Sequence, residues 1–266
     1  MEHFAQLIRE ASGGNLTNVS TPILIAMAAV GTLLLIASIV ALVTSIMLAV
    51  KYVEYNRREN TAGLTGEEIA REVLQRNGLT NIKVSSCGSF LFGNSYSHFF
   101  KKVRLRRRTW KKSSISSLAM ATQKSSLAVL DNQNDPDMRA RVKMTPIIYL
   151  GPLAFIPLVI VGSILDLFVF KSSQGTFTII VTAIAALFYL ISFIMSLMTL
   201  KTERKAQKMA LNLMRKDSLA TEEEIEMCRK LYHLYNIEYV NNMIIALLEM
   251  IYRVLQIVVE VKMKSE

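Results

Sequence analysis

Residues 25–50 read IAMAAVGTLLLIASIVALVTSIMLAV, 26 positions without a charged side chain. A hydrocarbon core of about 30 Å needs about 20 helical residues, so this run can span a bilayer with some tilt. Two further runs repeat the pattern: residues 144–170, with Asp166 as their only charge, and residues 177–200, with none. Uncharged runs above about 18 residues are unusual in soluble cores. Three transmembrane helices are therefore expected, in place of three buried core helices. Composition agrees, since 52% of the 266 residues are hydrophobic. The first run starts late, is long, and has no basic stretch before it, so it reads as a retained anchor and not as a cleaved signal.

The formal charge of +10 is unevenly placed. Residues 1–24 carry Arg9 against Glu2 and Glu10, and the loop at 171–176 carries one Lys. Residues 51–143 carry 18 Lys and Arg against 8 acidic residues, and the stretch after Leu200 is again basic. The positive-inside rule then expects residues 51–143 and 201–237 on the cytoplasmic side, or the matrix side of an organelle. The N-terminal tail (1–24) and the short loop are expected outside. In a eukaryotic cell Asn15 and Asn18 would be glycosylation acceptors on that tail. Cys87 and Cys228 are far apart and form neither a disulfide framework nor a zinc ribbon.

The segment between the first two spans carries soluble-domain signals. Thr65 is placed to cap a helix running to Asn77, with Glu67 and Glu68 in its first turn and Ile69, Ala70, Val73 and Leu74 as its apolar stripe. Gly78 suits the left-handed position after it. Ile82–Val84 and Val103–Leu105 read as short strands, and Lys111–Leu130 as a Ser/Ala/Leu-rich helix. After the third span, Lys201–Lys216 reads as a charged helix, and Thr221 caps another at Glu222. Residues 238–261 are apolar enough for a fourth span. Yet Asn242, Glu249, Arg253, Gln256 and Glu260 fall on one helical face, the pattern of an amphipathic helix. Both readings stand.

Residues 62–79, AGLTGEEIAREVLQRNGL, followed by Asn81-Ile82-Lys83-Val84, carry a resemblance. They are similar to the opening of the conserved domain in the bacterial membrane-bound neutral zinc metallopeptidases (YugP-type), which read S-G-x-T-G-x-E-V-A-x-x-I-L-x-x-N-G-L and then x-x-V-x-V. The order of spans, soluble domain, charged helix and C-terminal apolar helix is also similar. The resemblance implies a mainly α-helical membrane protein with a small α+β zincin-like domain.

It also supplies a register. The family's D-x-Y-D-P-like segment falls on Asn94–His98, where Tyr96 is kept and the acidic and proline positions are not. Its H-E-x-x-H helix falls on Gln123, Lys124, Ser125, Ser126 and Leu127. Histidines at i and i+4 share a helix face and reach one zinc ion, and the glutamate between them takes a proton from zinc-bound water. Leu127 has no donor atom, Gln123 is a weak ligand, and Lys124 is a cation where a base is needed. The family's third ligand falls on Glu203, which alone cannot hold a catalytic zinc. Its plainer reading is a solvated or salt-bridged helix residue near Arg204 and Lys205. His3, His98 and His233 offer no replacement spacing. No metal or other cofactor is expected, and the chain reads as a degenerate member with no catalytic residues.

One more feature stands out. Lys101, Lys102, Arg104, Arg106, Arg107, Arg108, Lys111 and Lys112 place eight cations within twelve residues, with Trp110 among them. Anionic lipid headgroups, RNA such as a membrane-near ribosome, and an acidic protein partner all fit this charge. A scaffold without its catalytic residues points to binding: a structural or accessory subunit of a membrane protein complex, with lipids and other membrane subunits as partners. A membrane protease with an unrecognised site and a small transporter or channel are the alternatives. Asp166 would be the ion-path residue of the last, or else a cap for a neighbouring helix.

Overall fold

A computed structural model of the chain describes Gln6 and residues 20–88, 93–169 and 176–264. Asn15, Asn18, His3 and most of the loop at 171–176 lie outside the described residues.

The fold is mostly helical. Helix α1, Thr21–Arg57, absorbs the whole first apolar run, with Pro22 tolerated in its opening turn, where a backbone N–H has no helical partner to lose. A capped helix α2 follows, Gly66–Arg76. Strands β1 (Lys83–Cys87), β2 (Ser95–Ser97) and β3 (Lys102–Arg106) come next, then a short helix α3 (Arg107–Lys111) and helix α4 (Ile115–Asn132). Helix α5, Pro136–Ile164, widens into a π-helical turn at Leu165–Val169. Helices α6 (Thr176–Lys216) and α7 (Glu222–Lys264) complete the chain. The α1, α5 and α6 segments are long and apolar enough to cross a membrane. There is no break near residue 200 or residue 237: the charged helix is the end of α6, and the C-terminal apolar segment continues the helix capped by Thr221.

The chain divides into two compact units. One comprises residues 1–41, 145–196 and 240–266. In it Leu24 packs with Val259, and Gly31 of α1 lies against the Tyr252 ring, so α1 and α7 run antiparallel here. Phe155, Ala185 and Met250 form a second cluster. Asn242, Glu249, Arg253, Gln256 and Glu260 are all exposed, and Met250 and Val259 between them are buried. Asp166 caps α6: its carboxylate accepts from the Phe177 and Thr178 backbone N–H groups at 3.1 and 2.6 Å and from the Thr178 hydroxyl at 2.6 Å. These bonds form the cap for a neighbouring helix.

The other unit comprises residues 42–144 and 197–239. Its sheet has the order β1-β3-β2, with β1 parallel and β2 antiparallel to β3. One sheet face presents Val84, Val103 and Leu105 to the core, with α2 packed on α4. Helix α4 is buried on nearly every side, including Ser116, Ser117, Thr122, Ser125 and Ser126. Its small Ala and Ser residues let neighbours approach closely, and Ser126 satisfies its buried hydroxyl on the Thr122 carbonyl at 2.8 Å. From α7, Tyr232 donates to the Ala119 carbonyl at 2.5 Å, and Cys228 is buried nearby.

Candidate functional site

Helix α4 carries the positions that matter. Gln123 and Lys124 emerge from it toward α6 and meet Glu203. The Gln123 side-chain amide donates to Glu203 Oε2 at 2.8 Å, and Lys124 Nζ lies 2.9 Å from the same oxygen. Arg141, from α5, approaches the other oxygen at 2.8 Å. Glu203 is therefore ion-paired, but its partners arrive from α4 and α5. They are not its sequence neighbours: Lys205 pairs instead with Asp135 and Asp137, and Arg204 is exposed.

The electrostatics follow from the geometry. Burial alone would push the Glu203 carboxyl up, but Lys124 and Arg141 outweigh it and hold it down to about 2. Glu203 is thus an anion at any ordinary pH, and two cations already neutralise it. A zinc site needs a converging set of deprotonated nitrogen, sulfur or oxygen donors. Here a cation sits on each carboxylate oxygen, and each would repel a dication. Leu127 packs with Leu130, Met138 and Ala206 and adds only carbon. The residues around Glu203 do not fit zinc. Among the described residues no three His, Cys, Asp or Glu side chains are grouped as metal ligands.

A second polar cluster lies at the far end of α4. Asp131, buried, accepts from the Tyr96 hydroxyl at 2.6 Å and from Lys101 Nζ at 2.9 Å, and His98 Nδ1 lies 2.8 Å from both its oxygens. Burial opposes its charge, yet these three neighbours hold the Asp131 carboxyl below the usual range. Burial and Asp131 push the Tyr96 phenol up. This is an imidazole oriented by a carboxylate, half of a hydrolytic triad. Among the described residues no Ser, Thr or Cys side chain bonds to His98, so the nucleophile is missing. The resemblance points to Tyr96 and sets His98 at a proline position; only the fold brings Asp131 to them.

The basic cluster separates on folding. Lys101 turns inward to Asp131, Lys112 reaches the Asn56 carbonyl at 3.5 Å, and Trp110 packs against the edge of the core. Lys102, Arg104 and Arg106 alternate along β3 and share one sheet face. Arg107, Arg108 and Lys111 are exposed on α3.

A family model described as "putative neutral zinc metallopeptidase" matches residues 30–258. No curated protein and no solved structure matches the chain.

Proposed function

The chain belongs to the neutral zinc metallopeptidase family, and from that premise we propose that it is a catalytically inactive member serving as a structural or accessory subunit of a membrane protein complex. One observation carries the reading. The only family ligand position still acidic, Glu203, is closed by Gln123, Lys124 and Arg141. Two fixed cations stand where the family's chemistry needs one metal ion, and the general-base position is one of them.

The exposed polar face of α7 supports the subunit role. Asn242, Glu249, Arg253, Gln256 and Glu260 line a helix that packs among the span helices of its unit. Polar side chains at membrane depth find protein or water in preference to lipid. A partner helix would cover them. The basic unit then faces the cytoplasm or matrix.

Mild-detergent affinity purification of the full chain tests both parts. A stoichiometric set of membrane subunits is expected, together with substoichiometric zinc and no hydrolysis of casein or peptides. One zinc per chain, lost in Glu203→Ala, would sink the inactive reading. With no side-chain nucleophile beside it among the described residues, the His98–Asp131 pair carries a second reading only as a hydrolase in which His98 takes a proton from water. Peptide hydrolysis that survives chelators and disappears in His98→Ala would establish it.

A further inference from the structure

The sheet has two unlike faces. Residues directly opposite one another on neighbouring strands share a face, so Lys102 stands with Lys83 and Ser97, and Arg104 with Ser85 and Ser95. This face is polar and basic throughout. Its cations make no ion pair among the described residues, whereas Lys101, Lys124, Arg141, Lys201 and Lys205 in the same unit all do. At its centre two opposed side chains are left incomplete. Ser85 Oγ and Arg104 Nε are both shielded from solvent, with no hydrogen-bond partner among the described residues. A buried polar atom without a partner is costly, of order 1–3 kcal/mol. Both atoms are covered by the fold, so what this face can offer an anion is the charge of Lys83, Lys102 and Arg104.

The tip beside this face is the second, independent observation. The turn His98–Lys101 joins β2 to β3 and is tied to β1 by the Lys83 N–H donating to the Lys101 carbonyl at 3.0 Å. It lifts Phe99 and Phe100 into solvent, each 73% exposed. Both rings stay mostly outside the fold: among the described residues Phe99 makes one ring contact, edge-on with His98. Aromatic rings beside cations suit the boundary between headgroups and acyl chains. The unit is continuous in the chain, at residues 42, 144, 197 and 239, with the long apolar helices.

We propose that the basic sheet face of Lys83, Lys102 and Arg104, with the Phe99–Phe100 tip beside it, docks on anionic phospholipid: headgroup phosphates against the three cations, and both rings in the interface. The inference rests on the reading of α1, α5 and α6 as membrane-inserted. It narrows the eight-cation run to the few that share a face, and adds Lys83 and the two rings, which lie outside that run.

The test uses the full chain in lipid nanodiscs. Trp110 is the only tryptophan, so Phe100→Trp combined with Trp110→Phe moves the single fluorophore to the tip. Discs are made with phosphatidylcholine alone or with added phosphatidylserine, with brominated acyl chains as quencher. The expected result is quenching at position 100 that requires the anionic lipid and is largely lost in Arg104→Gln or Lys102→Glu. Full incorporation with no quenching would overturn the proposal, as would equal quenching in neutral discs. Protection of the fluorophore by a short RNA or by inorganic phosphate, without quenching by lipid, would also overturn it and assign the face to that ligand. Failure of the chain to enter discs at all would strike the spanning reading instead, and is read separately by co-elution. Circular dichroism and disc incorporation of each variant show that loss of quenching is not loss of fold.

Discussion

Glu203 shows how far a single residue was legible. The family register identifies the position, and the loss of His and Glu at 123, 124 and 127 is visible in the letters. What replaces the metal is not visible. Neighbours at i+1 and i+2 on a helix point away from residue i, so Arg204 and Lys205 could not be its partners. Arg141 reaches it only because α5 packs against α6. Removing one member of a part-buried pair leaves a partly uncompensated charge, which costs less than the about 3–5 kcal/mol of a fully buried pair. Glu203→Gln is thus expected to lower the thermal midpoint in detergent markedly, and Lys124→Met paired with Glu203→Gln to recover part of it. The pH dependence has a definite sign. The carboxyl is held at about 2, below its ordinary 4.5, so its stabilisation is present above pH 4.5 and is lost as pH falls from there toward 2. That contribution is on the order of 3 kcal/mol. An acid titration of the wild-type chain and of Glu203→Gln checks it: the variant should lack this part of the acid limb, and identical limbs would count against the pair.

Elements were legible where a local rule governs them. The capping box of α2 is closed both ways: the Glu68 N–H donates to the Thr65 hydroxyl at 3.4 Å, and the Thr65 N–H to Glu68 Oε2 at 2.7 Å. Thr65→Ala should cost about 1 kcal/mol in equilibrium unfolding. Strand β2 had no such signal. Ser95–Ser97 is a short polar stretch that becomes a strand only by pairing with β3. Helix α4 was placed but not its burial, because a helix covered on nearly every side has no polar face to mark its period. Contact between elements is also a matter of single atoms. A Cβ on Gly66 would overlap the Thr109 backbone carbonyl, so α2 can start against α3 only with glycine there. Gly66→Ala must displace backbone, and a loss of about 1–3 kcal/mol or more is expected, read by limited proteolysis of the full chain within residues 42–144. Gly63→Ala has open space but a positive φ of 65°, so its cost should be smaller.

At the scale of the molecule, connectivity constrains topology. Residues 42–144 and 197–239 fold as one unit although two helices able to span lie between them in the chain. A chain that crosses a bilayer twice returns to the side it left, so the hairpin of α5 and α6 satisfies the unit, and a single crossing would tear it apart. The same reasoning bears on α7, whose apolar half the sequence left open between spanning and lying flat. Val259 packs on Leu24 and Tyr252 on Gly31, so the end of α7 runs back along the start of α1, through the depth that the first apolar run occupies. If α1 crosses, α7 crosses beside it in the opposite sense. The stretch from Asn242 to Glu260 rises about 27 Å at 1.5 Å per residue, close to the hydrocarbon thickness. With α1 inserted, the expected topology has four crossings, one more than the three helices that length and apolarity alone pick out, and the C-terminus lies on the side of the N-terminus. Cysteine labelling from each side of intact vesicles checks this in a background with Cys87 and Cys228 replaced by serine and alanine. A cysteine after Glu266 and one at Gln133 should label from opposite faces. Labelling of both from the same face would put α7 flat on the surface, with its polar stripe in water.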